Sequence, residues 1–302
     1  MRNIFQRFLR GASARGWLAV DIGESSVSFA HVVPNGGRAL VEFAEERPWD
    51  PLEPKSLERA ARELGAKRYR CTTLLHPSQY QIVLVEAPPV KPDELRAAVR
   101  WRVKDMLDFH VDDATIDVLD VPVPAGAGQR PRSMYAVAAR NDTIRATIER
   151  FEGAGMPLAV IDIPDAAQRN LAACFEAAGR AVMALVFDHH GGLITVNYAG
   201  ELYLSRRLDS GPHQHERILV EVQRSLDHCE RTYPFLSFDR VLVGPPADDE
   251  GLREHLAASL YLRVEPLDLA QAVALPAGWG SREQAKWLKL IGAGLRTEKK
   301  AL

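Results

Sequence analysis

The stretch LAVDIGESSVSFAHV, Leu18 to Val32, places an aspartate and a glycine at the end of one apolar run and then turns back into another. A strand that ends in Asp-x-Gly and reverses tightly leaves backbone N–H groups pointing at one spot, where a phosphate can bind. Asp21 could then hold Mg²⁺ through water, and Ser25 or Ser26 could donate hydrogen bonds. The same sequence also closes ordinary hairpins. The stretch therefore predicts two antiparallel strands joined by either a phosphate loop or a plain turn.

The pattern recurs in the second half of the chain. There the strand VMALVFD ends at Asp188, and the strands LITVNY and LYLSRRL follow the loop at residues 189–192. In both halves a helix and one more strand come next; in the second half these are a helix from His215 to about Arg231 and the strand FDRVLVG, which ends at Gly244. The repeat is far longer than the roughly 20–50 residues of a solenoid unit. It predicts a duplicated, two-lobe α/β fold.

The residues between the halves have no counterpart in the second half. They read as strand, helix, two strands and helix, which predicts a compact α+β insert. The first helix, from about Pro92 to Leu107, carries an apolar stripe formed by Leu95, Val99, Val103 and Met106. The Gly- and Pro-rich loop from Pro124 to Arg132 is predicted to be the tip of this insert.

These patterns divide the chain into four ranges. Residues 1–15 form a basic N-terminal segment, 16–78 a first lobe, 79–155 the insert, and 156–302 a second lobe whose C-terminal helix could return to the first. The basic segment has apolar residues on one helical face, so it either lies on an anionic membrane surface or frays as a terminus.

Composition limits the classes of partner. The chain has 302 residues and a net charge of −2, which gives no bulk attraction for nucleic acid. Its three cysteines are far apart, which argues against a zinc site or a disulfide framework and suggests small buried residues. No apolar run approaches the roughly 18 residues of a membrane span. A cytoplasmic protein is expected.

Three features oppose nucleotide binding. Glu24 places a carboxylate inside the first loop, where a triphosphate would repel it. The second loop, at residues 188–192, is longer than a tight Asp-x-Gly turn. Pro245 and Pro246, which follow Gly244, have no N–H group to offer. No familiar catalytic motif is present, and the paired histidines are interpreted as loop residues rather than metal ligands.

Several quoted stretches together resemble a known family. VDIGESSVSFAHV is similar to the first phosphate loop of the actin-like ATPase superfamily. VEAPPVKPDELRAAVRWRVKDMLDFHVDDATIDVLDVP, VQRSLDHCERTYPFLSFDRVLVGP and WLKLIGAGLR resemble the PilM branch, which serves type IV pilus assembly, and within it the MshI group of mannose-sensitive haemagglutinin (MSHA) pili. The resemblance covers nearly all of residues 16 to 297.

The resemblance implies an actin-like, ribonuclease-H-like duplicated fold with an inserted α+β subdomain. It places the nucleotide-site positions at Asp21, Gly23, Ser25, Ser26, Asp188, Gly191, Gly192 and Gly244, with Ser28 where the family usually has a lysine. ATP with magnesium is the candidate cofactor, and no catalytic residue or metal site is assigned.

The resemblance also implies a function. PilM-like proteins bind the cytoplasmic tail of a PilN-like inner-membrane protein in a groove between the first lobe and the insert. We therefore expect an adaptor at the cytoplasmic face of the inner membrane of a Gram-negative bacterium, with a degenerate nucleotide site. An active ATPase or sugar kinase, a filament-forming actin relative, and the cytoplasmic domain of a type II secretion protein remain as alternatives.

Overall fold

The computed structural model describes residues 15–91, 93–124, 132–188, 191–244 and 250–297. Several features singled out in the sequence lie outside these ranges: the basic segment up to residue 14, Pro92, most of the loop between Pro124 and Arg132, His189 and His190, and the segment from Pro245 to Asp249. Within the described ranges, no helix is long and apolar enough to span a membrane.

The first lobe is built on a mixed five-stranded sheet in the order β3-β2-β1-β4-β8. The strands are β1 (Trp17–Ile22), β2 (Ser26–Val33), β3 (Leu40–Pro48), β4 (Cys71–Leu74) and β8 (Leu158–Asp162). The hairpin β1-β2 is antiparallel, whereas β4 runs parallel to both β1 and β8. Helix α1 (Pro54–Leu64) covers one face and ends at Gly65, whose φ of 74° is that of a helix C-cap.

The second lobe repeats this plan with the strand order β11-β10-β9-β12-β13. Its strands are β9 (Ala181–Asp188), β10 (Gly191–Tyr198), β11 (Glu201–Leu208), β12 (Phe238–Val243) and β13 (Arg263–Pro266), and its helices include α5 (His215–Thr232), α6 (Glu250–Ser259) and α7 (Leu269–Ala272). In each sheet the first strand of the lobe is central, with the second and third on one side. The duplication predicted from the sequence is confirmed.

The predicted boundary at residue 156 is wrong for β8. Residues 156–302 were assigned to the second lobe, but β8 pairs with β4 in the first sheet, where Thr72 lies opposite Val160. Parallel strands need a long crossover connection. The insert occupies that crossover, so the chain must return to the first sheet before it enters the second lobe.

The insert is an antiparallel sheet of three strands in the order β5-β7-β6. Its elements are β5 (Tyr80–Glu86), α2 (Leu95–Val103), β6 (Ala114–Val121), β7 (Ser133–Arg140) and α3 (Asn141–Gly153). Helix α2 is shorter than predicted, because the chain leaves the helix after Val103. Met106 therefore lies beyond the buried stripe and is 49% exposed.

The insert packs against the second lobe. Val121 and Tyr135 belong to the same apolar core as the second sheet. The backbone N–H of Ser205 donates to the Tyr135 hydroxyl at 3.2 Å, and the Tyr203 hydroxyl donates to the carbonyl of Pro122 at 2.7 Å. The Tyr135 hydroxyl in turn donates to the carbonyl of Tyr203 at 3.3 Å. Burial raises the pKa of both tyrosines, so both hydroxyls keep the proton that they donate.

Two helices lie back to back between the sheets: α4 (Pro164–Ala173) and α8 (Ser281–Gly294). Helix α4 packs on the second sheet, where Nε2 of the buried Gln168 donates to the carbonyls of Ala184 and Leu193 at 2.9 and 3.0 Å. Helix α8 packs on the first sheet, where Gly294 lies against Val32. Each helix therefore packs on the lobe opposite to the strands that precede it.

The crossing of α4 and α8 depends on a glycine. A Cβ atom at Gly292 would lie 2.5 Å from the backbone oxygen of Ala167, closer than carbon and oxygen can approach. The Asn170 amide donates to the carbonyl of Gly292 at 2.9 Å, which ties the same two helices together. The absence of a side chain at Gly292 sets the distance between the lobes.

A buried carboxylate joins the insert to the second lobe. Asp165, on the first turn of α4, is fully buried and accepts hydrogen bonds from the Tyr80 and Ser205 hydroxyls. The Arg207 guanidinium lies 3.2 Å from the same carboxylate and also donates to the Tyr80 hydroxyl. Because a charge out of water must be paired and hydrogen-bonded, this cluster holds its members in one arrangement.

The cysteines differ from the expectation at one position. Cys71 and Cys229 are buried, and burial raises the pKa of each thiol to about 12. They are therefore unreactive thiols at neutral pH. Cys174 is exposed, because it lies just past the end of α4 rather than within the core.

Replacing Gly292 by alanine is expected to destabilise the protein by about 1–3 kcal/mol, the usual cost of forcing extra atoms into a packed interface. Urea denaturation followed by tryptophan fluorescence measures this. Gly153→Ala is the matched control, since a Cβ there meets nothing within 4 Å. Equal stability of the two variants would show that the helices do not cross as closely as described.

Asp165→Ala is expected to lower the free energy of unfolding by about 3–5 kcal/mol, because it leaves the Arg207 charge and two hydroxyls without their acceptor. Asp209→Ala, at an exposed aspartate just beyond β11, should change it by less than about 0.5 kcal/mol. Chemical denaturation at neutral pH compares the two. A small loss at Asp165 would contradict the buried junction.

Candidate functional site

A cavity of about 1150 Å³ lies between the lobes and reaches the insert. Asp21, Gly23 and Glu24 from the first loop line it, and Asp188 lines it from the opposite lobe. A second cavity of about 300 Å³ adjoins it and is lined by Gly191, Gly192 and again Asp188. The structure therefore brings the two predicted loops to one cleft, as the duplicated fold requires.

The first loop is a tight turn held by its own neighbours. The Gly23 N–H donates to the carbonyl of Ser26 at 2.9 Å. The indole N–H of Trp49 donates to the carbonyl of Gly23, and its backbone N–H donates to the carbonyl of Ser25, both at 3.0 Å. Trp49 follows β3, so the end of the third strand fixes the turn between the first and second.

The Ser26 hydroxyl donates to Glu46 at 2.7 Å rather than pointing to a ligand. Lys286 of α8 donates to the same carboxylate at 2.6 Å. The Lys286 ammonium, and then the Ser26 hydroxyl, lower the pKa of Glu46, because both stabilise its ionised form. Glu46 therefore links the first loop to helix α8.

The second loop is held in a similar way. Asp188 ends β9, and its carboxylate pairs with the Lys289 ammonium of α8. The Asp188 side chain is 19% exposed and that of Lys289 35%, so the pair is partly shielded from water. Because α8 packs on the first sheet, this ion pair connects the two lobes. Both residues line both cavities.

Three of the predicted glycines, Gly191, Gly192 and Gly244, lie at closely packed positions of the second lobe. Gly191 has a φ of 121°, and a Cβ there would lie 2.1 Å from the carbonyl oxygen of Leu208 on the neighbouring strand. Gly192 and Gly244 are packed closely against the side chains of Phe187 and Val186. Gly244 is not among the described residues that line either cavity. Each of these glycines is required by the packing of the second sheet.

Magnesium and a triphosphate need carboxylate oxygens for the metal, and N–H and hydroxyl donors for the phosphates. Here the Asp188 carboxylate is paired with Lys289, and the Ser26 hydroxyl and Gly23 N–H donate within the protein. These three groups are therefore engaged within the protein, while Asp21, the other carboxylate of the predicted site, lines the cavity. Glu24 adds a negative charge beside them. Nucleotide binding at these positions stays an untested prediction.

The sequence analysis missed three residues that line the cavity, Trp49, Lys286 and Lys289. It also missed Glu46, which contacts Ser26 and Lys286. The spacing of the two lysines could have shown that they share one face of α8, because residues three apart lie on the same face of a helix. Nothing local indicates which loops that face would meet. Within the described ranges, no group of three or more His, Cys, Asp or Glu residues is arranged to hold a metal ion.

No protein-family model matches this chain, and no curated protein matches it in sequence. Its structure is similar to the PilM-PilN type IV pilus biogenesis complex, with a TM-score of 0.68 and 20% identity over 95% of this chain and 98% of that chain. It is also similar to a protein of Bacteroides thetaiotaomicron with an actin-like ATPase fold and unknown function, with a TM-score of 0.53 and 11% identity over 96% and 99% of the two chains.

The cytoplasmic domain of EpsL, an inner-membrane component of the type II secretion system of Vibrio cholerae, gives a TM-score of 0.49 and 12% identity over 91% of this chain and 94% of that chain. The first two similarities extend over almost the whole chain, with both sheets and most of the insert. The chain has the actin-like ATPase fold, as the sequence predicted.

Glu46→Gln is expected to destabilise the protein in a pH-dependent manner. The folded-state pKa lies below that of the unfolded chain, so ionised Glu46 stabilises the fold above the unfolded-state pKa. That contribution disappears as the pH falls through the folded-state pKa. The difference in unfolding free energy from the native protein should therefore be largest near neutrality and shrink in acid.

Urea denaturation between pH 3.5 and 7 measures this difference. Glu149→Gln, at an exposed glutamate of α3, is the control variant. A Glu46→Gln difference that stays constant across the range would show that the Glu46 carboxylate is not held by Lys286 and Ser26.

Proposed function

We propose that this protein is a PilM-like cytoplasmic adaptor of type IV pilus assembly that binds the cytoplasmic tail of a PilN-like inner-membrane protein. The observation that carries the proposal is the similarity to the PilM-PilN complex over 95% of this chain. The unmatched twentieth of the chain is much smaller than the insert, so the likeness includes the subdomain that adjoins the proposed groove. The MshI-like motifs of the sequence assign the adaptor to an MSHA-type pilus.

The tail would bind where the cavity runs between the first lobe and the insert. Trp49 and Pro51 line it from the first lobe, and Thr147 and Arg150 line it from α3. At about 1150 Å³ this cavity exceeds the ~300–1,000 Å³ of ordinary small-molecule sites. An extended peptide segment suits such a groove, with main-chain hydrogen bonds for affinity and side-chain pockets for specificity.

The proposed adaptor is a pseudo-ATPase. Turnover of ATP requires positioned phosphates and a metal ion that neutralises the developing charge. Side chains at the two loops contact other residues of the protein: Ser26 donates a hydrogen bond to Glu46, and Asp188 forms an ion pair with Lys289. Capture of a tail needs the groove between the first lobe and the insert, and it needs no chemistry at these loops.

Membrane association follows from the partner in this proposal. A PilN-like protein is held in the inner membrane by its own helix, so the adaptor would be peripheral at the cytoplasmic face. One bound tail anchors the adaptor beside the membrane and raises the local concentration of any machinery that it carries.

The groove is tested with a fluorescent peptide that carries the N-terminal residues of the PilN-like protein encoded beside this one. Thr147→Trp is expected to weaken binding at least about tenfold, because it fills the groove where the tail would lie. Arg145→Trp, on the same helix but not among the residues that line the cavity, should bind like the native protein. Fluorescence anisotropy gives both affinities.

Two results would contradict the proposal. Failure of the native protein to bind the tail would remove the adaptor function. Equal affinity of the Thr147→Trp and native proteins would place the tail elsewhere. Circular dichroism of both variants verifies that each is folded before binding is compared.

A further inference from the structure

Strand β5, with the sequence YQIVLVE, lies at one edge of the insert sheet. Among the described residues it pairs only with β7. The Ala87 N–H donates to the carbonyl of Arg132 at 2.6 Å, in the same register as the β5–β7 pairing. Because hydrogen-bonded pairs alternate along an antiparallel ladder, the main-chain N–H and C=O groups of Ile82, Leu84 and Glu86 face away from β7. The outer edge of β5 therefore offers donors and acceptors to another strand.

This edge lacks the features that usually protect a sheet edge. Natural edge strands are short, charged, bulged or ended by proline. In the second sheet, β13 has four residues and ends at Pro266, and β11 carries Arg206 and Arg207. Strand β5 has seven residues in unbroken register, its one charge is Glu86 at the end, and the apolar side chain of Leu84 is 38% exposed. An apolar edge of this kind is a template for strand addition.

The strand is complementary to a second copy of itself. In an antiparallel pair centred on Val83, Ile82 of each copy would lie opposite Leu84 of the other. These are the residues whose main-chain groups face outward, so each Ile82–Leu84 pair would exchange two N–H···O bonds. Their side chains share one face of the strand and would form apolar cross-strand contacts. No shift of register is needed to match both hydrogen bonds and side chains.

The charges also match in this register. Glu86 of one copy would lie opposite Tyr80 of the other, on the same face of the joined sheets. The Arg207 guanidinium lies 5.3 Å from the centre of the Tyr80 ring, and its side chain is 33% exposed. Arg207 pairs with the buried Asp165, but a guanidinium has five N–H groups and can accept a second carboxylate. Each end of the pairing therefore brings a carboxylate towards a guanidinium.

We propose that the protein forms a symmetric dimer through antiparallel pairing of β5 with β5 of a second copy. The three-stranded insert sheets of the two copies then form one continuous sheet. One pair of strands buries less area than the roughly 1,200 Å² of a standard interface, so the dimer is weak and depends on concentration. The inference goes beyond capture of the tail, because none of the described residues that line the cavity belongs to β5.

Sedimentation velocity from micromolar to millimolar protein tests the dimer. The native protein is expected to associate as its concentration rises. Leu84→Lys should weaken association at least about tenfold, because each copy loses an apolar cross-strand contact and gains a charge at the edge. Val220→Lys, at a residue of α5 that is 41% exposed, is the matched control and should associate like the native protein. A native protein that stays monomeric throughout, or a Leu84→Lys variant that associates as tightly as the native protein, would overturn the proposal.

Disulfide cross-linking tests the register. Val83→Cys is made together with Cys174→Ser, which removes the exposed native thiol. The two copies of residue 83 would lie directly opposite each other with Cα atoms about 4.5 Å apart, within the range of a disulfide. Mild oxidation should therefore give a covalent dimer on a non-reducing gel.

Glu86→Cys in the same background is the control for cross-linking. Residue 86 is more exposed than Val83, but its two copies would lie about 20 Å apart at opposite ends of the pairing. Cross-linking of Glu86→Cys as readily as Val83→Cys would overturn the proposed pairing.

The cross-linking result needs no lysine variant, so it decides the case in which Leu84→Lys does not fold. Anisotropy with the tail peptide measures the adaptor function separately. Folded Leu84→Lys should bind that peptide like the native protein, since β5 does not line the cavity. The dimer and the adaptor function can therefore fail independently.

Discussion

The close crossing of α4 and α8 is the constraint on which the rest of the structure depends. Each helix packs on one sheet, and they touch each other where Gly292 has no side chain to separate them. This contact fixes how far apart the lobes lie and which face of α8 meets the cleft. The loops at Asp21 and Asp188 line one cavity because these two helices fix the position of one sheet relative to the other.

The cleft is bordered by a connected set of internal contacts. The carboxylates of Glu46 and Asp188 each bind a lysine of α8, and the turn at Gly23 is held by Trp49. The insert is tied to the second lobe by the buried Asp165, so all three parts of the chain meet around the cleft.

The sequence predicted the site in part, and the reason differs between residues. Asp21 and Asp188 could be found because each ends an apolar strand before a turn, which is a local pattern. Gly191 could be singled out from the sequence, but the reason for a glycine there could not. The reason is its close contact with Leu208, which lies on the neighbouring strand β11. Lys289 was missed because its carboxylate partner is about a hundred residues away in the chain.

The sequence by itself determined the two-lobe plan and the insert, because alternating apolar runs and turn residues specify strands and hairpins locally. The actin-like fold was implied by the resemblance of its motifs to that superfamily. Tertiary structure alone decided that β8 completes the first sheet, and it settled that α8 packs on the first lobe, which the sequence had left open. Both are pairings between distant segments, and no local pattern encodes which sheet an apolar segment joins. The ion pair in the cleft also depends on tertiary structure, because the packing of α8 brings Lys289 to Asp188.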